Sequence, residues 1–171
     1  MTLDNFDLKG FWKDSEYARQ EYLGEAPTEE LVRSVERQLG FKLPSSFIEL
    51  MRMQNGGIPV RRHVVLKDGQ PTNAAAIEIS GIFGIGSRNP STLCGSAGSR
   101  FWVEEWGYPS IGVYFADCPS AGHDMVCLDY RASSPQGEPA VSHVDQENEY
   151  RVLVLADTFA EFVRRLENQV D

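Results

Sequence analysis

The sequence predicts an α+β fold: a largely antiparallel, mixed sheet with helices packed on it from the N-terminal and C-terminal parts of the chain. Helical periodicity occupies residues 14–55 and returns at residue 158, while strand-like periodicity fills residues 58–156. No repeat and no Pro/Gly/Ser linker interrupts this order. Helices, then consecutive strands, then a closing helix are typical of α+β proteins, and 171 residues suit one domain spanning residues 1–171.

The helix signals are strongest at residues 28–40. Glutamates fill the first turn of this segment, apolar residues repeat along one face, and Gly40 predicts a left-handed C-terminal position. A closing helix is predicted after Thr158, which is spaced to form a capping box with Glu161. Residues 14–23 are a weaker candidate for a further helix.

Another helix is predicted to follow Pro44. The spacing of Ser46 and Glu49 predicts a capping box with Ser46 as the N-cap. The sequence Asn-Gly-Gly at residues 55–57 predicts the end of this helix and the entry into a strand, because the pattern before it is helical.

Five runs between the helices have the composition and alternation of β-strands. Turn-rich pieces separate them, which favours an antiparallel arrangement. The predicted strands are residues 77–79, 111–115, 126–130, 140–144 and 150–155.

The chain is acidic, with 25 Asp and Glu residues against 16 Lys and Arg and a formal net charge of −9. Phosphate binding needs clustered cations, so this balance argues against a nucleic-acid partner and is compatible with attraction of a basic protein. The three cysteines form no CxxC pair, and the sequence has neither a signal-peptide pattern nor a long apolar run. Reduced thiols and a cytoplasmic location are therefore expected, without membrane contact.

The densest group of reactive side chains surrounds Cys118. Cys118, His123 and Cys127 are candidate zinc ligands, and Cys118 with His123 is a candidate thiol–base pair. The spacing fits no common zinc pattern and no oxyanion donors are evident, so we expect neither a metal nor a catalytic group. Cys127 is expected in the core, and His63 and His143 are expected in strands as residues that bind no metal.

Residues 81–86, Gly-Ile-Phe-Gly-Ile-Gly, superficially resemble a nucleotide-binding glycine loop. The spacing is GxxGxG rather than GxGxxG, and neither a lysine nor a helix start follows. Glycines at the exit of a strand explain the pattern, so no cofactor is expected.

The aromatic segment 101–108 and the charges near it indicate a candidate binding surface. Its rings either fill the core beneath a loop or anchor a partner, because Trp and Tyr dominate interface hot spots. From residue 104 to residue 145, seven Asp and Glu residues accompany a single Arg131. This imbalance predicts either an acidic face that attracts a basic partner or a dispersed set of solvated charges. The residues predicted to bind the partner are Glu104, Glu105, Trp106, Asp117, His123 and Asp124.

Several stretches resemble the SUKH superfamily of Smi/Knr type, in the order of that family. They are FWKDSEY at residues 11–17, ERQLGFKLPSSF at 36–47, MQNGG at 53–57, GHDMVCLDYR at 122–131, GEP at 137–139 and TFAEF at 158–162. Their glycines and proline serve backbone conformation, so these motifs identify a fold better than a site. The motif residues are Trp12, Glu36, Gly40, Pro44, Asn55, Gly56, Gly57 and Asp129.

The resemblance implies a protein that binds another protein and is not an enzyme. Bacterial members neutralise toxins delivered between competing cells, often nucleases, and fungal members are cell-wall regulators. The resemblance therefore implies an immunity protein that neutralises a basic nuclease toxin, with an intracellular regulatory scaffold as the alternative. A third hypothesis is a metal- or thiol-dependent enzyme built on Asp117, Cys118, His123 and Asp124. A monomer or weak homodimer is expected.

Overall fold

The computed structural model describes residues 2–169 and confirms the α+β prediction. Its helices are α1 Glu16–Glu21, α2 Glu29–Leu39, α3 Ser45–Met53, α4 Ser99–Glu104 and α5 Phe159–Arg164. Its strands are β1 His63–Val65, β2 Ala76–Glu78, β3 Gly81–Ile82, β4 Gly112–Asp117, β5 Asp124–Asp129, β6 Ala140–Asp145, β7 Arg151–Ala156 and β8 Leu166–Glu167. In this part of the chain, no helix combines the length and apolarity needed to cross a bilayer.

Strands β3 to β7 form an antiparallel sheet in sequence order, so each strand pairs with the one before it. The three central strands are buried at nearly every position, which means that other elements cover both faces. Phe159 of α5 packs edge-on against Phe47 of α3 and Phe115 of β4, at ring-centroid distances of 5.1 and 5.5 Å. These aromatic contacts join the N-terminal and C-terminal helices to the sheet.

A second antiparallel sheet, in the order β2-β1-β8, includes one predicted strand, because residues 77–79 overlap β2. Strands β1 and β8 are not among the five predicted runs, since they are three and two residues long, too short for period-two alternation to be recognised. Every pairing between the named strands is antiparallel, and one isolated parallel bridge joins Gly84 and Thr92. The predicted antiparallel character is therefore confirmed.

Helix α2 confirms the strongest of the helix predictions. The Thr28 hydroxyl accepts a hydrogen bond from the Leu31 N–H at 3.1 Å, and Gly40 ends the helix with a φ of 79°. At α5, the Thr158 hydroxyl accepts the Glu161 N–H at 3.1 Å, as its half of a capping box requires.

The capping box predicted for α3 is wrong. The helix begins at Ser45, Pro44 is its N-cap residue, and no side chain caps it. Ser46 therefore lies inside the first turn, where its buried hydroxyl has no hydrogen-bond partner among residues 2–169. Glu49 accepts instead from the backbone N–H of Leu3 at 3.2 Å, which ties the N-terminal segment to this helix.

Helix α4 was not predicted, and it contains the first part of the aromatic segment 101–108. The Ser99 hydroxyl at its start is buried and accepts the N–H of Tyr114 at 2.9 Å, which holds the helix against β4. The Trp102 indole N–H donates to the carbonyl of Ala97 at 2.9 Å. Tyr108 is fully buried, whereas the rings of Trp102 and Trp106 are half-buried, so the aromatic segment contributes to both core and surface.

Four of the motif residues shape the chain where it leaves α3. Asn55 is buried and bonds to the backbone of neighbouring segments, and Gly56 and Gly57 have φ values of 86° and 153°. A Cβ at Gly57 would lie 2.9 Å from the ring of Trp12, which forms a bridge with Pro59. The glycines are needed here because neighbouring groups lie too close to leave room for a side chain. This is a structural role, as expected of residues that specify a fold.

Two carboxylates among the motif residues also have structural partners. Glu36 of α2 accepts the N–H of Leu43 at 2.9 Å and so closes the turn after the helix. Asp129 is 3 % exposed and accepts hydrogen bonds from Arg131 and from the Ser142 hydroxyl, the latter at 2.8 Å. Asp129 therefore links β5, the turn that follows it and β6.

Candidate functional site

The loop between β4 and β5 brings most of the predicted binding residues to one region. Asp117 ends β4 and Asp124 begins β5, and the loop turns through Gly122 with a φ of 93°. A Cβ at Gly122 would lie 2.7 Å from the ring of Trp102 and 3.1 Å from that of Trp106. Both the backbone conformation and the packing on the two indoles therefore require glycine here.

One side of this loop carries an aromatic ring bordered by acidic groups. His123 packs edge-on against Trp106, with ring centroids 5.9 Å apart. Its Nδ1 atom lies 3.1 Å from the Gln146 side-chain oxygen and 3.6 Å from a carboxylate oxygen of Glu147. The side chains of His123 and Glu147 are 47 % and 69 % exposed, so both reach solvent.

Two more glutamates extend this surface. Glu105 directly precedes Trp106, and Glu149 directly precedes Tyr150, whose hydroxyl donates to the Trp106 carbonyl. Both carboxylates are exposed, and neither forms an ion pair within residues 2–169. We call the set Glu105, Trp106, His123, Glu147 and Glu149 the acidic rim.

The acidic rim contains three residues predicted from the sequence and two that were missed. Glu147 and Glu149 lie just beyond the segment 104–145 whose charge imbalance signalled a binding face. The acidic residues continue to Glu149 in the sequence, which was a usable signal, but the position of Glu147 beside His123 depends on the pairing of β5 with β6. That pairing places the end of β6 next to the start of β5, and the Gln146 N–H donates to the His123 carbonyl at 2.9 Å.

Glu104 differs from its neighbour Glu105 in having a counter-ion. Its carboxylate lies 3.5 Å from the guanidinium of Arg100, one helical turn earlier, and both side chains are well exposed. Glu104 and Glu105 also border a shallow pocket of about 260 Å³, together with Cys94 and Phe101. Of the two predicted glutamates, Glu104 therefore has a counter-ion and Glu105 has none within residues 2–169.

The other side of the loop borders a cleft of about 530 Å³. Its lining includes Lys13, Tyr17, Arg62, Trp102, Asp117 and Cys118. The Tyr22 hydroxyl lies 3.0 and 3.1 Å from the two carboxylate oxygens of Asp117. Burial raises the pKa of Asp117 to about 6, even though the hydrogen bond from Tyr22 lowers it. The cleft therefore holds a carboxylate that titrates near neutral pH.

Beneath the same loop, Asp124 joins Cys118 to His143. The Asp124 Oδ2 atom lies 2.7 Å from Nε2 of His143, and the Cys118 sulfur lies within 4.8 Å of the same carboxylate. Burial raises the pKa of Asp124, but the bonds from His143 and Ser120 outweigh that effect and lower it. Burial and the Asp124 charge raise the pKa of the Cys118 thiol well above its usual range, so the thiol stays protonated.

This arrangement differs from both chemical alternatives considered for the sequence. His123 is exposed and contacts Trp106 and Gln146, whereas the group next to the Cys118 thiol is the Asp124 carboxylate, which opposes formation of a thiolate. Among residues 2–169, the group of side chains close enough to share a metal ion is Cys118, Asp124 and His143. It includes neither His123 nor Cys127, which is buried in β5 as expected.

The glycines at residues 81–86 have structural reasons to be glycine. A Cβ at Gly81 would lie 2.3 Å from the ring of Tyr22, and one at Gly84 would lie 2.7 Å from the Asn55 carbonyl oxygen. The whole segment is buried against these residues. Close packing therefore accounts for the glycines at residues 81 and 84.

Comparison with known proteins identifies one family. The model of the SMI1 / KNR4 family (SUKH-1) matches residues 26–165, which is most of the chain and includes the loop, the acidic rim and the Cys118 cluster. No curated protein matches the chain.

Proposed function

The chain belongs to the SMI1/KNR4 family (SUKH-1), and on that premise we propose that it is a non-catalytic, cytoplasmic immunity protein that neutralises a toxin by binding it. The observation that carries the proposal is the acidic rim, where the half-buried Trp106 packs against His123 and the exposed Glu147 carboxylate lies 3.6 Å from that histidine. A single domain over residues 1–171 makes the contact. The partner is a basic protein, and a nuclease domain fits because its nucleic-acid site must itself be cationic.

The composition of the acidic rim suits such a partner. Exposed carboxylates steer a basic surface into encounter, and the Trp106 ring is the kind of aromatic anchor on which interface energy concentrates. Glu105 and Glu149 have no counter-ion within residues 2–169, so a cationic partner does not have to displace an existing salt bridge. The overall charge of −9 adds a long-range attraction that salt screens.

The chemistry at Cys118 supports a binding role over a catalytic one. A thiol held protonated by burial and a neighbouring carboxylate is a poor nucleophile. The nearest histidine, His143, is bonded to Asp124 and therefore contacts the carboxylate rather than serving as the base of a thiol–imidazole pair.

The test takes candidate basic nuclease toxin domains from genes neighbouring this one and expresses each in a sensitive host with and without the protein. We expect the wild-type protein to restore growth and to form a 1:1 complex. The double variant Glu105→Lys/Glu149→Lys should slow association by roughly tenfold at low salt and lose protection at limiting expression. The control Glu21→Lys/Asp68→Lys changes two exposed carboxylates elsewhere by the same net charge and should still protect.

Either of two results would contradict the proposal. Wild-type protein that gives no protection would remove the immunity role, and full protection by the acidic-rim variant would remove the acidic rim as the binding surface. Several cellular enzymes bound without loss of their activity would instead support a regulatory scaffold.

A further inference from the structure

Three side chains of different ligand type converge where the β4–β5 loop meets β6. Cys118 supplies a sulfur, Asp124 an oxygen and His143 a nitrogen, and these ligand atoms all lie within 4.8 Å of one another. Cys118 and His143 are 4 % and 7 % exposed, and the Asp124 side chain is 24 % exposed. Such a set is unlike a cluster of surface acids, because it is nearly enclosed and mixes the three donors that transition metals use.

We propose that Cys118, Asp124 and His143 form a binding site for one transition-metal ion of the zinc type. Tetrahedral zinc sites with three protein ligands combine S, N and O donors at roughly 2.0–2.3 Å from the ion. Donor atoms around such an ion are less than about 4 Å apart. The sulfur, oxygen and nitrogen atoms here lie within 4.8 Å of one another, so side-chain rotations that move them by about 1 Å would bring them to the spacing of a zinc site.

The backbone that presents the three ligands is well determined by the fold. Asp124 and His143 lie on the paired strands β5 and β6, where Val126 is the residue directly opposite His143. Cys118 follows the last residue of β4, which pairs with β5 through Asp117 and Met125. Sites on paired strands are held more firmly than sites on loops, so two of the ligands are preorganised.

The hydrogen bond between Asp124 and His143 is compatible with the proposal, because it places a proton where the ion would bind. Binding therefore exchanges protons for the ion, with the Cys118 S–H losing its proton to solvent as the sulfur–metal bond forms. No electron transfer is involved.

The proposed site adjoins the 530 Å³ cleft, because Cys118 is one of the residues that line it. Three protein ligands with an accessible fourth position is the arrangement in which zinc keeps a water molecule or a partner's side chain. An ion there would also brace the loop that carries His123 of the acidic rim, although the proposal does not depend on the rim's function.

The test is a titration of the chelator-treated, desalted protein with Co²⁺, a spectroscopic stand-in for Zn²⁺. We expect one equivalent to produce a thiolate-to-cobalt charge-transfer band and the strong visible bands of tetrahedral cobalt, both abolished by adding Zn²⁺. The variant Cys94→Ser/Cys127→Ala leaves Cys118 as the one cysteine and should keep the band. Cys118→Ser should lose it. Asp124→Asn and His143→Gln should weaken binding by more than the roughly tenfold associated with loss of an outer-shell partner.

The assignment to Cys118 survives even if Cys118→Ser fails to fold, because the double variant reports on Cys118 alone. Absence of the charge-transfer band in the wild-type protein would overturn the proposal. A band that is present in wild type but lost from the Cys94→Ser/Cys127→Ala variant, shown by circular dichroism to be folded, would also overturn it.

Discussion

The side-chain amide of Asn55 pairs with both backbone groups of Ile85. Its Oδ1 accepts the Ile85 N–H at 2.7 Å and its Nδ2 donates to the Ile85 carbonyl at 2.9 Å, while a second Nδ2 hydrogen reaches the Glu25 carbonyl at 2.7 Å. The Asn55 side chain is almost fully buried. One amide thus joins the end of α3 to two other segments, a role that no apolar or charged residue of similar size fills.

Replacement of Asn55 is expected to be strongly destabilising. Asn55→Ala leaves the two buried backbone groups of Ile85 and the part-buried Glu25 carbonyl unpaired, and we expect the free energy of unfolding to fall by about 3 kcal/mol. Asn55→Asp should lose a similar amount at pH 7, because its carboxylate faces two carbonyl oxygens. Urea denaturation curves measure both losses, with Asn73→Asp on an exposed loop as the control.

The two Asn55 variants should differ in acid. Protonation of the carboxylate introduced by Asn55→Asp restores one donor, so the loss in that variant should shrink as the pH is lowered, whereas the loss in Asn55→Ala should stay constant. Equal losses at all pH values would show that the restored donor, and the repulsion between the carboxylate and the two carbonyl oxygens, contribute little.

Two glycines with similar φ values should respond differently to alanine. Gly40 and Gly56 have φ values of 79° and 86°, so a Cβ is strained at both. A Cβ at Gly40 meets nothing within 4 Å, whereas one at Gly56 would lie 2.5 Å from the Tyr22 carbonyl oxygen and 2.9 Å from the Gly84 nitrogen. We expect Gly40→Ala to reduce the unfolding free energy by about 1 kcal/mol.

Gly56→Ala should reduce the unfolding free energy by at least about 2 kcal/mol more than Gly40→Ala does. The reason is that backbone atoms rather than flexible side chains must move to make room for the methyl group. Thermal and urea unfolding of the two variants give the comparison directly. Equal destabilisation would mean that the segment around Tyr22 yields easily to a methyl group.

The sequence predicted the features that depend on local pattern. The ends of α2 at Thr28 and Gly40 were correct because capping and a left-handed glycine are decided within a few residues. The β5–β6–β7 region was also predicted, since its strands are long enough to show their composition. The prediction that Ser46 caps α3 was wrong because the helix begins one residue before it, directly after Pro44. A capping pattern in the sequence does not distinguish starts that differ by one residue.

The candidate sites depended on contacts that local pattern does not contain. Asp124 and His143 are 19 residues apart and meet only because β5 and β6 pair in one register, which a slip of one residue would abolish. Tyr150, the residue after Glu149, reaches the Trp106 carbonyl through the same pairing and the turn after β6. The residue types were visible in the sequence, but their grouping required the strand register.

Ser46 offers a direct check on the corrected start of α3. Since its buried hydroxyl lacks a partner within residues 2–169, Ser46→Ala should change the unfolding free energy by no more than about 0.5 kcal/mol, or raise it. Thr28→Ala removes a formed N-cap and should lower it by about 1 kcal/mol. A loss at Ser46 as large as that at Thr28 would restore the capping interpretation.

Asp129 should make stability depend on pH in the acid range. Burial raises its pKa, but the hydrogen bonds from Arg131 and Ser142 outweigh burial and lower it below the usual value. A carboxyl whose pKa is lower in the folded state adds stability that is complete above its unfolded pKa, about 3.9, and is lost as the pH falls through the folded value. Asp129→Asn removes this charge and should lower the unfolding free energy by about 2 kcal/mol at pH 7. The loss is no larger because Arg131 is half-exposed, so solvent screens its attraction to Asp129.

The difference between wild type and Asp129→Asn should therefore hold from pH 7 to about pH 5 and shrink below about pH 4. Asp14→Asn is the matched control, because that carboxylate is 87 % exposed, and it should change stability by no more than about 0.5 kcal/mol. Urea titrations at each pH separate the two variants. A difference that grew as the pH fell would mean that the folded protein prefers Asp129 protonated, which the bonds from Arg131 and Ser142 oppose.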